Sequence, residues 1–104
     1  MAEVTVSRLA RRDLVGIRDY IRDELNNPDA AARILVELKA AMESLRSMPE
    51  RGKPLDAVIH VHTEYRYLVC GRYRVFYLYH DDQVEIVRVL HTLQDYMRAL
   101  FTQY

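Results

Sequence analysis

YRYLVCGRYRVFYLYHDDQVEIVRVLHTLQD, the stretch from Tyr65 to Asp95, decides the fold. Aromatic and β-branched residues crowd it, and two short turn signals, Cys70-Gly71 and His80-Asp81-Asp82-Gln83, divide it. That pattern predicts three consecutive antiparallel strands. In the last, Val84, Ile86 and the apolar stem of Arg88 alternate with Glu85, Val87 and Val89. A strand with apolar residues on both faces belongs inside a sheet, with material covering each side.

Upstream of this core the sequence predicts the cover. Ala2 to Val6 alternates as a short opening strand, and Ser7 stands where a helix N-cap is needed. From Arg8 to about Leu25, apolar Ala10, Leu14, Ile17, Ile21 and Leu25 recur in steps of three and four, on one helical face. Gly16 is expected to let this helix pack closely on the next. Asn26-Asn27-Pro28-Asp29 stops one helix and starts another, with Asn27 as N-cap and Pro28 in the first turn. The second helix is expected from Pro28 to about Ser47, burying Ala31, Ile34, Leu35, Leu38, Ala41, Met42 and Leu45 before Met48-Pro49 ends it. So short a link makes an antiparallel αα-hairpin.

Glu50 to Glu64 has the weakest pattern: an extended edge around Val58, Ile59 and Val61, or a packed loop. Thr92 to Phe101 predicts a short terminal helix with Leu93, Tyr96, Met97 and Leu100 turned inward. The order is β-α-α-β-β-β, an α+β domain in which a helical hairpin packs on a small antiparallel sheet, and residues 1–104 form one domain.

Composition narrows the function. With 50% hydrophobic and 29% charged residues the chain is built to fold rather than stay disordered. Fifteen basic and fifteen acidic residues cancel, unlike the clear excess of positive charge in a non-specific nucleic-acid binder. Cys70 is the only cysteine, so neither an internal disulfide nor a cysteine-based metal cluster forms. No leader or long apolar run is visible, which points to the cytoplasm and to no membrane partner.

Gly16, Gly52 and Gly71 are too scattered for a phosphate-cradling loop, and no serine or cysteine sits in a nucleophile motif. Cys70 and the pair Asp81-Asp82 are read as turn residues. His60 and His62 share a face if extended, but the local sequence offers no third ligand, so neither metal nor cofactor is expected. Arg66, Arg74 and His91 remain. The two arginines lie on neighbouring strands, where register decides whether they share a face, and His91 ends the last strand. Together such groups hold a phosphodiester and supply a proton, as metal-free RNA cleavage requires. In the competing reading the arginines pair with Glu64, Glu85 or Asp95 and His91 bonds a strand end. Spacing alone favours that structural reading.

RYRVFY at Arg72–Tyr77 and VEIVRVLHTLQD at Val84–Asp95 resemble the C-terminal half of the RelE/ParE superfamily of type II toxins, often described as plasmid stabilisation proteins. NNPDAA at Asn26–Ala31 and LRSMPERGKPL, which closes the second helix, extend the resemblance over essentially the whole chain. The resemblance implies a toxin silenced by a cognate antitoxin whose disordered tail folds on its surface. It also implies one of two targets: DNA gyrase, poisoned by binding in ParE-like members, or the ribosome with its mRNA, cut by RelE-like endoribonucleases.

Residue by residue, Arg74 matches the sheet arginine of the ribonucleases, Arg66 stands for a strand lysine, and His91 resembles a histidine of ribosome-dependent members. Leu68 and Gln94 fall where basic residues are expected. Leu100 falls where a terminal tyrosine belongs, with Tyr96 and Tyr104 as substitutes. An incomplete catalytic set and a neutral chain select the ParE-like reading, in which no catalytic residue is expected and the helical hairpin or terminal segment meets gyrase. The ribonuclease with Arg66, Arg74 and His91 is the alternative. Tyr65, Tyr67, Tyr73, Phe76, Tyr77 and Tyr79 are expected to be mainly packing residues.

Overall fold

The computed structural model describes residues 1–59, 62–92 and 96–101. Five strands form one sheet in the order β1-β5-β4-β3-β2: β1 Glu3–Val6, β2 Lys53–Pro54, β3 Arg66–Cys70, β4 Tyr73–His80 and β5 Gln83–His91. The helices are α1 Arg8–Asp19, α2 Pro28–Glu43, α3 Asp56–Ile59 and α4 Tyr96–Phe101. The three long strands form the expected meander. At the β4–β5 turn His80 pairs with Gln83, and both intervening aspartates take positive φ, 51° at Asp81 and 62° at Asp82. That backbone twists with the strands, and Asp tolerates it.

The sheet is not wholly antiparallel. β1 lies beside β5 and parallel to it, from Glu3 opposite Gln83 to Val6 opposite Ile86. No hairpin links these two strands, so their direction is free. The parallel arrangement launches α1 halfway along β5, over the part of its edge that β1 leaves uncovered. β2 and α3 occupy the segment that sequence left as edge or loop, and Val58 lies in α3, not in a strand. Pro54 fits β2 because that strand is a two-residue edge.

Both faces of the sheet are covered. On one, the hairpin buries Ala10, Leu38, Met42 and Leu45 against Leu68, Val75, Tyr77, Val84, Ile86 and Val89. On the other, Leu55 and Leu100 close over Tyr67, Phe76 and Leu90. The helix starts follow the sequence: Ser7 Oγ accepts the Ala10 N–H at 3.1 Å and the Asn27 side-chain oxygen accepts that of Ala30 at 3.1 Å. Leu25 departs from expectation and is 56% exposed. A π-helical turn over Tyr20–Glu24 widens the end of the first helix and rotates Leu25 off the apolar stripe. Leu93 lies outside the described residues, as do the side chains of Tyr96 and Met97; Leu100 is buried as predicted.

Glycine positions separate space from strain. A Cβ on Gly52 would stand 2.5 Å from the Tyr77 hydroxyl and 2.9 Å from the Tyr67 carbonyl oxygen, so only glycine fits. At Gly16, expected to serve helix packing, a Cβ meets nothing within 4 Å. Gly16→Ala is therefore expected to stabilise the fold by about 0.5–1 kcal/mol through helix propensity, read as a raised thermal midpoint. Tyr77 ties the loop after α2 to the sheet: its hydroxyl donates to the Pro49 carbonyl at 2.8 Å and accepts the Gly52 N–H at 2.9 Å. Tyr77→Phe is expected to cost about 1–3 kcal/mol by orphaning both groups. Burial pushes the Tyr77 phenol up from its ordinary 10.0. Its contribution is therefore complete below about pH 10 and lost as pH rises through the folded value, so denaturant midpoints of the wild type and Tyr77→Phe should converge in strong alkali.

Candidate functional site

Register settles where the polar residues of the sheet point. Arg66 lies opposite Tyr77, Leu68 opposite Val75 and Cys70 opposite Tyr73, which in turn faces His91. Directly opposed residues share a face, so these side chains turn toward the helical hairpin. Tyr67 opposite Phe76 and Val69 opposite Arg74 turn to the other face. Arg66 and Arg74 are thus on opposite sides of the sheet. Arg66 and His91 share a side but face positions four residues apart on β4, about 13 Å along the strand.

Each of the three has local structural company. The Arg66 guanidinium donates to the carbonyls of Glu50 at 3.2 Å and Gly52 at 2.9 Å, holding the chain between α2 and β2. Arg74 lies over the Tyr67 ring, its guanidinium carbon 5.0 Å from the centroid. His91 meets Tyr73 edge to face at 5.5 Å. Leu68, where the resemblance implied a base, is buried in the helix-side core. Gln94, Asp95, Tyr104 and His60 lie outside the described residues. His62 is exposed with Nδ1 3.8 Å from Asp56, and among the described residues no three metal-ligating side chains come together.

The residue that sequence reasoning missed is Asp13. The ladder slips between Phe76, opposite Arg88, and Tyr77, opposite Ile86, leaving Val87 as the extra residue of a β-bulge. Past the bulge the alternation reverses. Val89 joins Val84 and Ile86 against the hairpin, while Val87 and Leu90 pack on the opposite core, so Val87 and Val89 do not share the face that strict alternation predicted. The edge of β5 exposed here is sealed by α1. Ser7 Oγ donates to the Val87 carbonyl at 3.0 Å, and Asp13 Oδ2 accepts the Val89 N–H at 2.9 Å. Asp13 also takes Arg88 in a two-pronged pair, 2.8 Å from Nε and 2.9 Å from the terminal nitrogen. The bond to Asp13 raises the Arg88 pKa further. An acid on the stripe of Ala10, Leu14 and Ile17 was the available signal.

A concavity lies between α1 and the β3–β4 turn. It is a cleft of about 620 Å³ whose wall includes Arg12, Gly16, Tyr20, Arg72, Tyr73 and His91. A second cleft of about 520 Å³ shares Tyr20, Arg72, Tyr73 and His91 and continues toward Cys70 and Glu37. Burial raises the Cys70 and Tyr73 pKa values, so both stay protonated and uncharged at neutral pH and serve as wall rather than nucleophile.

The family model described as ParE toxin of type II toxin-antitoxin system, parDE, matches residues 4–96. The chain belongs to the ParE toxin family. Toxin RelE2 of Caulobacter vibrioides is 37% identical over 91 residues, covering 88% of this chain and 96% of that protein. Among solved structures, the chromosomal ParDE TA system from P. aeruginosa superposes with a TM-score of 0.73 at 17% identity, covering 88% of this chain and 96% of that one. The toxin-antitoxin complex RelBE2 from Mycobacterium tuberculosis gives 0.64 at 28%, covering 86% and 96%. This is the helical hairpin on a sheet that the sequence predicted, and the ParE family sits within the RelE/ParE superfamily of type II toxins.

Within this scaffold Asp13 is structural. Asp13→Ala is expected to destabilise the toxin by about 3 kcal/mol, because it strands Arg88 and the Val89 N–H together. Chemical denaturation checks this, and Asp13→Leu combined with Arg88→Met should recover part of the loss.

Proposed function

We propose that this ParE-family toxin acts by binding, with DNA gyrase as its target, and is silenced by a cognate antitoxin. The observation that carries the reading is the dispersal of Arg66, Arg74 and His91. Metal-free RNA cleavage needs a base or acid and cationic groups within about 3 Å of one phosphodiester. Two sides of a sheet cannot supply them to the same atom. The names of two relatives, RelE2 and RelBE2, keep the ribosome-dependent endoribonuclease as the second reading.

Both solved neighbours are described as toxin-antitoxin systems or complexes. In this reading the antitoxin tail seats in the mainly apolar groove of about 440 Å³ among Val4, Val6, Leu14, Leu35, Val36 and Met42, with Arg11, Lys39 and Glu43 also on its wall. Val36, on its rim, is 68% exposed. A tail that folds as it docks gains the hydrophobic burial that this surface leaves unmade in the free toxin. Among the described residues no helix is long and apolar enough to cross a membrane.

Two outcomes follow. Arg74→Ala and His91→Ala should still arrest growth when expressed without antitoxin; loss of arrest in a well-folded His91→Ala protein would transfer the assignment to the ribonuclease. Val36→Asp should weaken antitoxin binding at least about tenfold by placing a charge in the apolar seat, measured by titration calorimetry, while growth arrest persists.

A further inference from the structure

The neutral total conceals an uneven distribution of charge. Arg18 and Arg22 pair with Asp19 and Asp23, Arg33 with Glu37, Arg46 with Glu43 and Arg88 with Asp13. Among the described residues, Arg8, Arg11, Arg12 and Arg72 are exposed and pair with no carboxylate; Lys39, Arg51 and Lys53 are likewise exposed and unpaired with an acid, but line neither the cleft nor the depression that the four arginines border. They also adjoin. Arg8, Arg11 and Arg12 border an open depression with Val15 and Gly16, and Arg12 and Gly16 border the cleft that contains Arg72, Tyr20, Tyr73 and His91. Asp13, the one acid lining that cleft among the described residues, is neutralised by Arg88.

Ordinary solvated helix arginines do not account for this placement. Three of the four occupy the first half of α1, whose first turn holds no acidic residue. The positive end of the helix dipole disfavours cations there. Spacings of three and four residues also set Arg8 against Arg11 and Arg12 as repelling neighbours. Apart from the bond that Arg11 Nε donates to the Val6 carbonyl at 3.2 Å, the isolated fold gains no ion pair from the arrangement, whereas an extended anion would pair with Arg8, Arg12 and Arg72 as well. Arg8 to Arg12 spans about 6 Å of helix axis, over which one DNA strand carries about two phosphates at ~3.4 Å each. Guanidinium pairs with phosphate in two-pronged fashion. At the end of the strip Tyr20, 54% exposed, presents an aromatic surface beside Tyr73.

We infer that the Arg8-Arg11-Arg12-Arg72 strip binds a nucleic-acid phosphate backbone, with DNA as the strand. The choice of DNA over RNA rests on the gyrase-directed reading; the strip itself does not. It lies on the hairpin side of the sheet, away from Arg74.

The test is fluorescence anisotropy of the full-length toxin on a labelled DNA duplex and on an RNA of matching sequence, over a salt series. Arg8→Gln/Arg12→Gln/Arg72→Gln is compared with wild type and with Arg33→Gln, which changes an arginine paired elsewhere. The strip predicts wild-type binding that weakens with salt. In the triple variant, low-salt affinity should fall at least tenfold and the log–log salt slope should flatten by about 0.9 for each phosphate no longer neutralised. Arg33→Gln should match wild type, and the triple variant should melt no lower than wild type.

Absence of wild-type binding to either nucleic acid, or a triple variant that binds like wild type, overturns the inference. Loss of antitoxin affinity in the variant with unchanged nucleic-acid binding also overturns it and assigns the strip to an acidic protein. Binding to RNA alone keeps the strip and overturns DNA as its strand. A gyrase supercoiling assay on the same proteins separates the two claims. Gyrase inhibition without strip-dependent DNA binding sinks only the strip, and strip-dependent DNA binding without gyrase inhibition sinks only the target.

Discussion

The junction between α1 and the bulge of β5 is the constraint on which the rest of the structure depends. A bulge leaves a strand with an unpaired residue and unsatisfied backbone groups, and β5 carries its bulge where β1 has already turned away. Ser7 takes the Val87 carbonyl, and Asp13 takes the Val89 N–H together with Arg88. One helix thereby completes the sheet's hydrogen bonding, fixes its own position over the core and holds the only charge pair among the described residues with both side chains at 20% exposure or less. Such a pair contributes little net stability relative to an apolar replacement, but half of it is costly to keep. What it supplies here is position. The bulge reverses side-chain alternation so that Val89 enters the hairpin core while Leu90 enters the other.

Much of the fold was legible in local chemistry. Turn residues, helix caps at Ser7 and Asn27, and the aromatic and β-branched density from Tyr65 onward all act over a few residues. The departures arise where distant segments decide. No local feature sets the direction of β1, because its partner lies about eighty residues away. The π-helical turn that exposes Leu25 breaks a 3.6-residue period that sequence reading assumes throughout. The bulge at Val87 is met by an acid on another element, Asp13, which takes the Val89 N–H and Arg88 beside it.

The candidate site was less legible, for a related reason. In a strand, spacing tells which residues share a face within that strand, while register between strands decides which residues meet. Arg66 and Arg74 were separable only once Arg66 was seen opposite Tyr77 and Arg74 opposite Val69. Arg66 then finds carbonyls on the loop after α2 rather than an acid on the sheet. The family's hairpin-on-sheet scaffold is common to proteins named ParE and RelE, so fold alone does not choose a target. The proposal of gyrase rests instead on the dispersal of Arg66, Arg74 and His91 over that scaffold.

The central claim is that this toxin poisons by binding and not by cutting RNA. Purified toxin, freed of antitoxin, added to gyrase supercoiling reactions and in parallel to ribosomes programmed with messenger RNA, tests it most directly. The account predicts inhibited supercoiling or accumulated cleaved DNA, with the message intact. Cleaved message beside normal gyrase activity would contradict it.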